Sequence, residues 1–388
     1  MQNIILYMVP LTVDIIVSLI LFVGRHSLAS QGYDERTVGK IVLCFGIGYV
    51  ISSLLMTRLV RRRYIRYQML GSLGGMIAIS VLLANNTNLT VTFALYSLFP
   101  LAVSMFFSSF QVYILGISNQ NDRPLASTVG HFTLSWSIGY ALGPFVSSQL
   151  ARTIEWNVIY YLASILSFLV GGLLFLIKPG KKTSTSQSEA KHLMLNNGRK
   201  RSLIIPAWIG LISGWAVWHT MMIYWPVQAV QFNVPVQQRG MVEFIFALTQ
   251  GFSALALIYL KDWHRKPALF GLFGFIGVTG VVVFGALAGV NLFLLGAFLY
   301  GIFTGSMFSL AVYHAMADES KAIQRVALNE TFIGVAVLSA YLLSAWLHPV
   351  GSPFNTSYQL LAVLLGAGLL AQAVITFRIL RQETVVAV

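Results

Sequence analysis

Long apolar runs alternate with short polar breaks from one end of this chain to the other. A bilayer core about 30 Å thick takes about 20 apolar residues in a helix. Twelve stretches come close to or exceed that length: 3–24, 38–57, 68–84, 91–116, 125–150, 157–177, 203–226, 240–260, 268–288, 292–316, 326–347 and 356–377. The pattern predicts an all-α, polytopic membrane protein with twelve transmembrane helices. Only one polar break is long. Residues 178–202 are basic and rich in Ser and Thr, a composition suited to a mobile connection. They divide the chain into a six-helix bundle over 1–177 and a second over 203–388.

The second bundle repeats the first. Ile4-Ile5 recurs as Ile204-Ile205, Gly71-x-x-Gly74 as Gly271-x-x-Gly274, and Val112-Tyr113 as Val312-Tyr313, all at one offset of 200 residues. Duplicated membrane halves are a recurring way to build a secondary transporter. The scaffold repeats but the chemistry does not: Asp14 maps to Gly214, Arg25 to Trp225 and Gln111 to Ala311. The first half is therefore expected to hold the ionisable site, and the second most of an aromatic wall.

Composition agrees with a lipid solvent. The chain is 57% hydrophobic and 10% charged, with mean hydropathy +0.76, whereas soluble domains are about 25% charged. The net charge of +13 would suggest nucleic acid in a soluble protein, but its distribution removes that reading. With the N-terminus inside, 20 of the 25 Lys and Arg fall on the inner side and five (Arg25, Arg36, Lys40, Arg152, Arg239) on the outer side. Such a bias sets topology and favours anionic lipid, so the partner is a bilayer and both termini are expected in the cytoplasm. Residues 3–24 read as a retained first span, since a basic n-region and a small-residue cleavage site are missing. One cysteine, Cys44, leaves no disulfide or redox pair. No metal site, cofactor motif or phosphate-binding glycine loop is expected.

Two segments carry a family resemblance. In the fifth span, Gly130, Gly139, Gly143 and Pro144 stand in a Gly-x8-Gly-x3-Gly-Pro spacing. Between the second and third spans lies Ser53-Leu-Leu-Met-Thr57-Arg58-Leu-Val60-Arg61-Arg62-Arg63. Together with two six-helix halves and the central linker, these resemble the major facilitator superfamily and its antiporter-type members. The first segment is similar to the family's motif C, whose closing glycines are replaced here by Ser147 and Ser148. The second lies where the family carries its motif A, with Arg58, Arg61 and Arg62 matching. Thr57 stands where the family has an aspartate that latches the cytoplasmic gate. We expect Glu330, near the cytoplasmic end of the eleventh span, to meet those arginines instead. Each segment also has a plainer reading: small residues let helices pack closely, and arginines at a cytoplasmic helix end are an ordinary topology signal. The basic residue that proton-coupled exporters of this family carry in the fourth span is missing here.

The resemblance implies that spans 1, 4, 7 and 10 line a central cavity. A charge within a span is costly and marks a functional candidate. Asp14 is the sharpest, and Tyr7, Asp14, Ser18 and Arg25 fall on one helical face. It suits a proton, a sodium ion or a cationic group, or else a structural pair within the bundle. Span 4 offers Ser97, Ser104, Ser108 and Gln111 on one face. Span 7 offers Trp215, Trp218 and His219, with Trp208 and Trp225 expected as interfacial anchors. Tyr300, Thr304 and His314 share a face of span 10. Glu243 is expected to reach water or pair with Arg239.

These readings describe a transporter of a small organic solute working by alternating access, expected as a monomer in a bacterial cytoplasmic membrane. Proton-coupled export is favoured by the glycine motif, Asp14 and the aromatic lining. Import of a polar metabolite by a symporter or facilitator is the alternative within transport, and a non-transporting membrane enzyme or sensor the alternative outside it. No nucleophile–base pair or His-Glu-x-x-His motif supports an enzyme.

Overall fold

A computed structural model describes residues 2–61, 63–120, 124–176, 202–260, 262–286, 289–318, 320–348 and 353–386. Among them are twelve α-helices: α1 (Gln2–Ser30), α2 (Glu35–Leu59), α3 (Ile65–Ala84), α4 (Leu89–Gln120), α5 (Leu125–Leu150) and α6 (Trp156–Leu176), then α7 (Ile204–Gln231), α8 (Val236–Leu257), α9 (Pro267–Gly285), α10 (Val290–Met316), α11 (Ala322–Leu347) and α12 (Phe354–Val386). No strand occurs among the described residues. The predicted linker lies outside them. The repeat extends to the helices: Glu35 and Val236 open α2 and α8, and Ile65 and Pro267 open α3 and α9.

Local chemistry sets the boundaries. Asp34 caps α2 by accepting from the Thr37 amide at 2.9 Å, satisfying one of the donors a helix N-terminus leaves open. Gly32, at φ +86°, makes the reversal between α1 and α2, a backbone conformation that costs glycine little. Proline stands at the first position of α9, where its missing N–H is not needed.

Eleven of the twelve helices are long and apolar enough to cross a membrane by length and composition. The exception is α5, which the apolar pattern counts as a span. It packs on α1 and α8 at once, so its buried Thr133, Ser135, Ser137, Ser147 and Ser148 meet protein and not lipid. Position also sorts the others. The most apolar windows of α1 and α7 are 72% buried and that of α10 is 67% buried, against 39% for α3, α6 and α9 and 28% for α12. The outer helices turn large apolar side chains such as Phe168, Phe275 and Phe377 away from the protein, as a lipid-facing surface requires.

The two halves meet along α5 with α8 and α2 with α11. Missing side chains bring the backbones close. A Cβ on Gly240 of α8 would collide with the Pro144 carbonyl of α5. One on Gly46 of α2 would lie 2.7 Å from the Leu338 nitrogen of α11. Within the first half, Gly139 and Gly143 of α5 lie against Leu11 and Ser18 of α1. Replacing Gly139 or Gly240 by Val should therefore destabilise the purified protein by about 1–3 kcal/mol through overpacking, read as a lower melting temperature in detergent. Gly171→Ala, whose Cβ would meet nothing within 4 Å, should leave it unchanged or raise it.

Candidate functional site

A cavity of about 80 Å³ lies between the halves near the middle of the helices. Helical periodicity explains which side chains reach it. In α1, Asp14, Val17 and Leu21 share a face at i, i+3 and i+7; in α4, Val103, Phe107 and Gln111 do so at i, i+4 and i+8. The same spacing of four turns Phe132, Trp136 and Tyr140 of α5 into the cavity, while Gly139 and Gly143 face α1. Phe45 and Tyr49 enter from α2, Trp215 and His219 from α7, Phe308 from α10, and Glu330, Ile333 and Val337 from α11. The lining thus draws on α2, α5 and α11 in addition to the four helices expected.

Two carboxyls face this space from opposite halves. Glu330 accepts from the Tyr49 hydroxyl on one oxygen and from the Gln111 side-chain amide on the other. Asp14 is 5% exposed, and its Oδ2 has no protein partner. Among the described residues no Lys or Arg lines the cavity. Gln111 Oε1 and the indole N–H groups of Trp136 and Trp215 are also buried without a protein partner. Trp136 packs edge-on to Phe308 at 4.7 Å between ring centres and lies 6.1 Å from Trp215, so aromatic contacts join the halves here.

Beyond the cavity, at the end where α1 and α7 finish, the halves are joined by charge. Arg25 lies 11 residues past Asp14, about 16 Å along the helix. Its guanidinium donates to Glu243 Oε2 of α8 at 2.7 Å and to the Leu21 carbonyl at 3.0 Å, with a longer contact to the Met222 carbonyl at 3.5 Å. His26 lies 3.7 Å from the other Glu243 oxygen. All three side chains are buried. Nearby, Arg239 donates to Ser30 Oγ at 3.0 Å, and Gln149 of α5 donates to the Gln237 carbonyl of α8 at 3.0 Å. We call this the distal end; it is the closed end of the cavity.

Of the sequence candidates, Asp14, Gln111, Trp215, His219 and Glu330 come together in the cavity. The others do not line it. Ser18 donates to the Asp14 carbonyl at 2.6 Å beneath Gly143, and the Tyr7 ring lies beside His131. Ser108 is buried elsewhere on α4. Trp218 stacks on Phe246 and Tyr300 inside the second half, and Tyr300 donates to the Gly214 carbonyl at 2.7 Å. His314 lies against His264, toward the end of α10.

Glu330, two turns inside α11, holds Tyr49 and Gln111 in this conformation, while Arg58 and Arg61 are exposed at the end of α2 and Arg62 lies outside the described residues. Two expectations need correction. Glu243 reaches neither water nor Arg239, because α8 presses it against Arg25 of the other half. Trp225 is not an interfacial anchor; it is fully buried and donates to the Arg239 carbonyl at 3.0 Å.

The sequence reading missed Tyr49, Trp136 and Tyr140. Trp136 and Tyr140 stand inside the glycine motif, whose spacing drew attention to the small residues and away from the aromatic ones between them. Tyr49 is a hydroxyl in the middle of an apolar helix, a signal of the same kind as Asp14.

A family profile described as Major Facilitator Superfamily matches residues 4–231, more than half of the chain. The chain belongs to the major facilitator superfamily; it is a multi-pass membrane protein and a secondary transporter, not an enzyme. Among solved structures, the nucleoside transporter NupG superposes with a TM-score of 0.69 at 12% identity, covering 98% of this chain and 99% of that one. The human organic anion transporter MFSD10 (TETRAN) gives 0.68 at 11% identity, covering 95% and 98%. At such identities the likeness is one of fold. No curated protein sequence matches the chain.

Removing one partner of a buried pair leaves the other charge uncompensated, at a cost of about 3–5 kcal/mol. Arg25→Met and Glu243→Leu should each lower the melting temperature markedly. The double variant should lose much less than the sum, and additive losses in this double-mutant cycle would show that the pair does not join the halves.

Proposed function

We propose that this protein moves a small organic solute by alternating access between its six-helix halves, with Asp14 and Glu330 as the charged groups of the site and protons as the coupling ion. The observation that carries this reading is that two carboxyls, one from each half, line one cavity that no Lys or Arg lines among the described residues. Two ionised carboxylates in a mostly apolar cavity repel each other and are poorly hydrated. A proton or a cation must accompany them. Cargo and proton then contend for the same negative charge, which is the physical basis of exchange transport: arrival of one favours departure of the other.

Export is the direction we favour, on the glycine motif of α5 and the aromatic lining. The Lys and Arg bias supports termini in the cytoplasm, a closed distal end facing outward, and a bacterial cytoplasmic membrane as the site of action. We take the monomer as the working unit, since each half supplies one acid of the site. An organic anion, the cargo named for MFSD10, suits this cavity poorly because two acids line it. A neutral polar metabolite, of the kind named for NupG, is the second reading, favoured by Gln111 and by the absence of a basic residue in the described part of α4. Import with protons would then replace export.

A thermal-shift screen of purified protein against metabolites and drugs should yield a stabilising solute, and counterflow of that solute in proteoliposomes is the functional test. An imposed pH gradient should change the rate or direction of its movement, and Asp14→Asn or Glu330→Gln should abolish gradient-driven accumulation while leaving exchange down a concentration gradient. A gradient without effect on either rate or direction would eliminate proton coupling.

A further inference from the structure

We infer that the cargo is an organic monocation, an amine carried on an aromatic body with a hydrogen-bond acceptor. This deepens the proposed function and rests on the cavity being the transport site. The inference comes from the buried polar atoms that the protein leaves unpaired, since such atoms are expected to have partners in a finished structure. Those that line the cavity are of three chemical kinds. Asp14 Oδ2 and Gln111 Oε1 are acceptors, the Trp136 and Trp215 indole nitrogens are donors, and the Tyr140 hydroxyl can act as either. A ligand complementary to them brings a donor to the first pair and an acceptor to the second.

The donor is cationic. Among the described residues no Lys or Arg lines the cavity, and the one lining base is the buried His219, so a charged ammonium gains from both acids, whereas a neutral donor leaves the negative charge to that imidazole alone. A single charge is enough. Both oxygens of Glu330 are already engaged by Tyr49 and Gln111, whereas Asp14 keeps a free oxygen. The body is aromatic or otherwise planar. Phe45, Phe107, Phe132, Trp136, Trp215 and Phe308 supply most of the wall, and aromatic faces attract both flat apolar groups and ammonium ions. A polyol of comparable size would bury more hydroxyls than the lining could satisfy. Carboxylates, phosphates and sulfates are disfavoured by the same two acids.

The test is binding to the purified full-length protein in detergent, read by quenching of tryptophan fluorescence and by melting temperature. The probes are matched sets: phenethylamine, tyramine and naphthylethylamine, their neutral alcohol counterparts, and the corresponding arylacetates. The amines should bind saturably and at least tenfold more tightly than the alcohols, and the acetates should not bind. Asp14→Asn should weaken the amines tenfold or more, whereas Asp14→Glu, which keeps the charge, should retain most of the affinity. Trp215→Phe keeps an apolar wall but removes one donor, so it should weaken tyramine more than phenethylamine. Because Asp14→Glu and Trp215→Phe are mild, they carry the test even where Asp14→Asn folds poorly.

The inference is overturned when no amine binds, when alcohols or acetates match the amines, or when the charge at position 14 makes no difference. Failure of the transport reading looks different. Amines that bind but show no counterflow in proteoliposomes would remove transport at this cavity and leave the ligand class standing. Counterflow of a neutral or anionic solute without amine binding would do the reverse.

Discussion

Charge neutrality inside an apolar bundle governs how the two halves of this protein meet. A guanidinium or carboxylate taken out of water needs an opposite charge or a set of hydrogen bonds close by. At the distal end the chain supplies that partner itself, with Arg25 of α1 against Glu243 of α8. In the cavity it supplies polar neighbours for Glu330 but, among the described residues, no Lys or Arg for either acid. The contrast separates two kinds of site within one interface. One joins the halves directly through opposite charges, while the other leaves Asp14 Oδ2 without a protein partner.

Geometry gives that contrast its consequence. α5 lies against α1 of its own half and α8 of the other, and the missing side chains at Gly139, Gly143 and Gly240 let three helices approach without intervening side chains. The motif therefore places the Arg25–Glu243 contact and the face bearing Trp136 and Tyr140 on one packed unit. Movement of α8 relative to α5 has to alter both the charged closure and the shape of the cavity. α2 and α11 mirror this on the other side, where Gly46 and Gly334 make the close approach and Tyr49 and Glu330 make the polar contact.

Much of the architecture was legible in the apolar pattern, because a helix in lipid must be long and uniformly apolar. The halves were legible for a similar reason: duplication keeps the spacing of the helices, and Glu35 with Val236 or Ile65 with Pro267 preserve it. α5 was harder to weigh, since its serines and threonines face protein. The site was read only in part. Periodicity placed Tyr7, Asp14, Ser18 and Arg25 on one face of α1, of which only Asp14 lines the cavity. It could not say which neighbour stands beside each residue along a 29-residue helix. Arg25 thus met Glu243 far from Asp14, and Ser18 was covered by α5. Trp215 and Trp218 show the same limit in angle: His219, one turn on from Trp215, shares its face, while Trp218 turns into its own half. The position of Glu330 in the chain said little about its depth relative to α2 and α4, whose Tyr49 and Gln111 it meets in this conformation.

The burial of Arg25 and Glu243 has one more consequence. Exposed charges attract each other through solvent whose ions screen them over about 8–10 Å at ordinary salt. This pair has no solvent between its members, so dissolved ions have no access to the field that joins them. The strength of this closure should accordingly be much the same in dilute and in saline surroundings. Separating the halves at the distal end has instead to bring water to both ions, and hydration is what sets the barrier there.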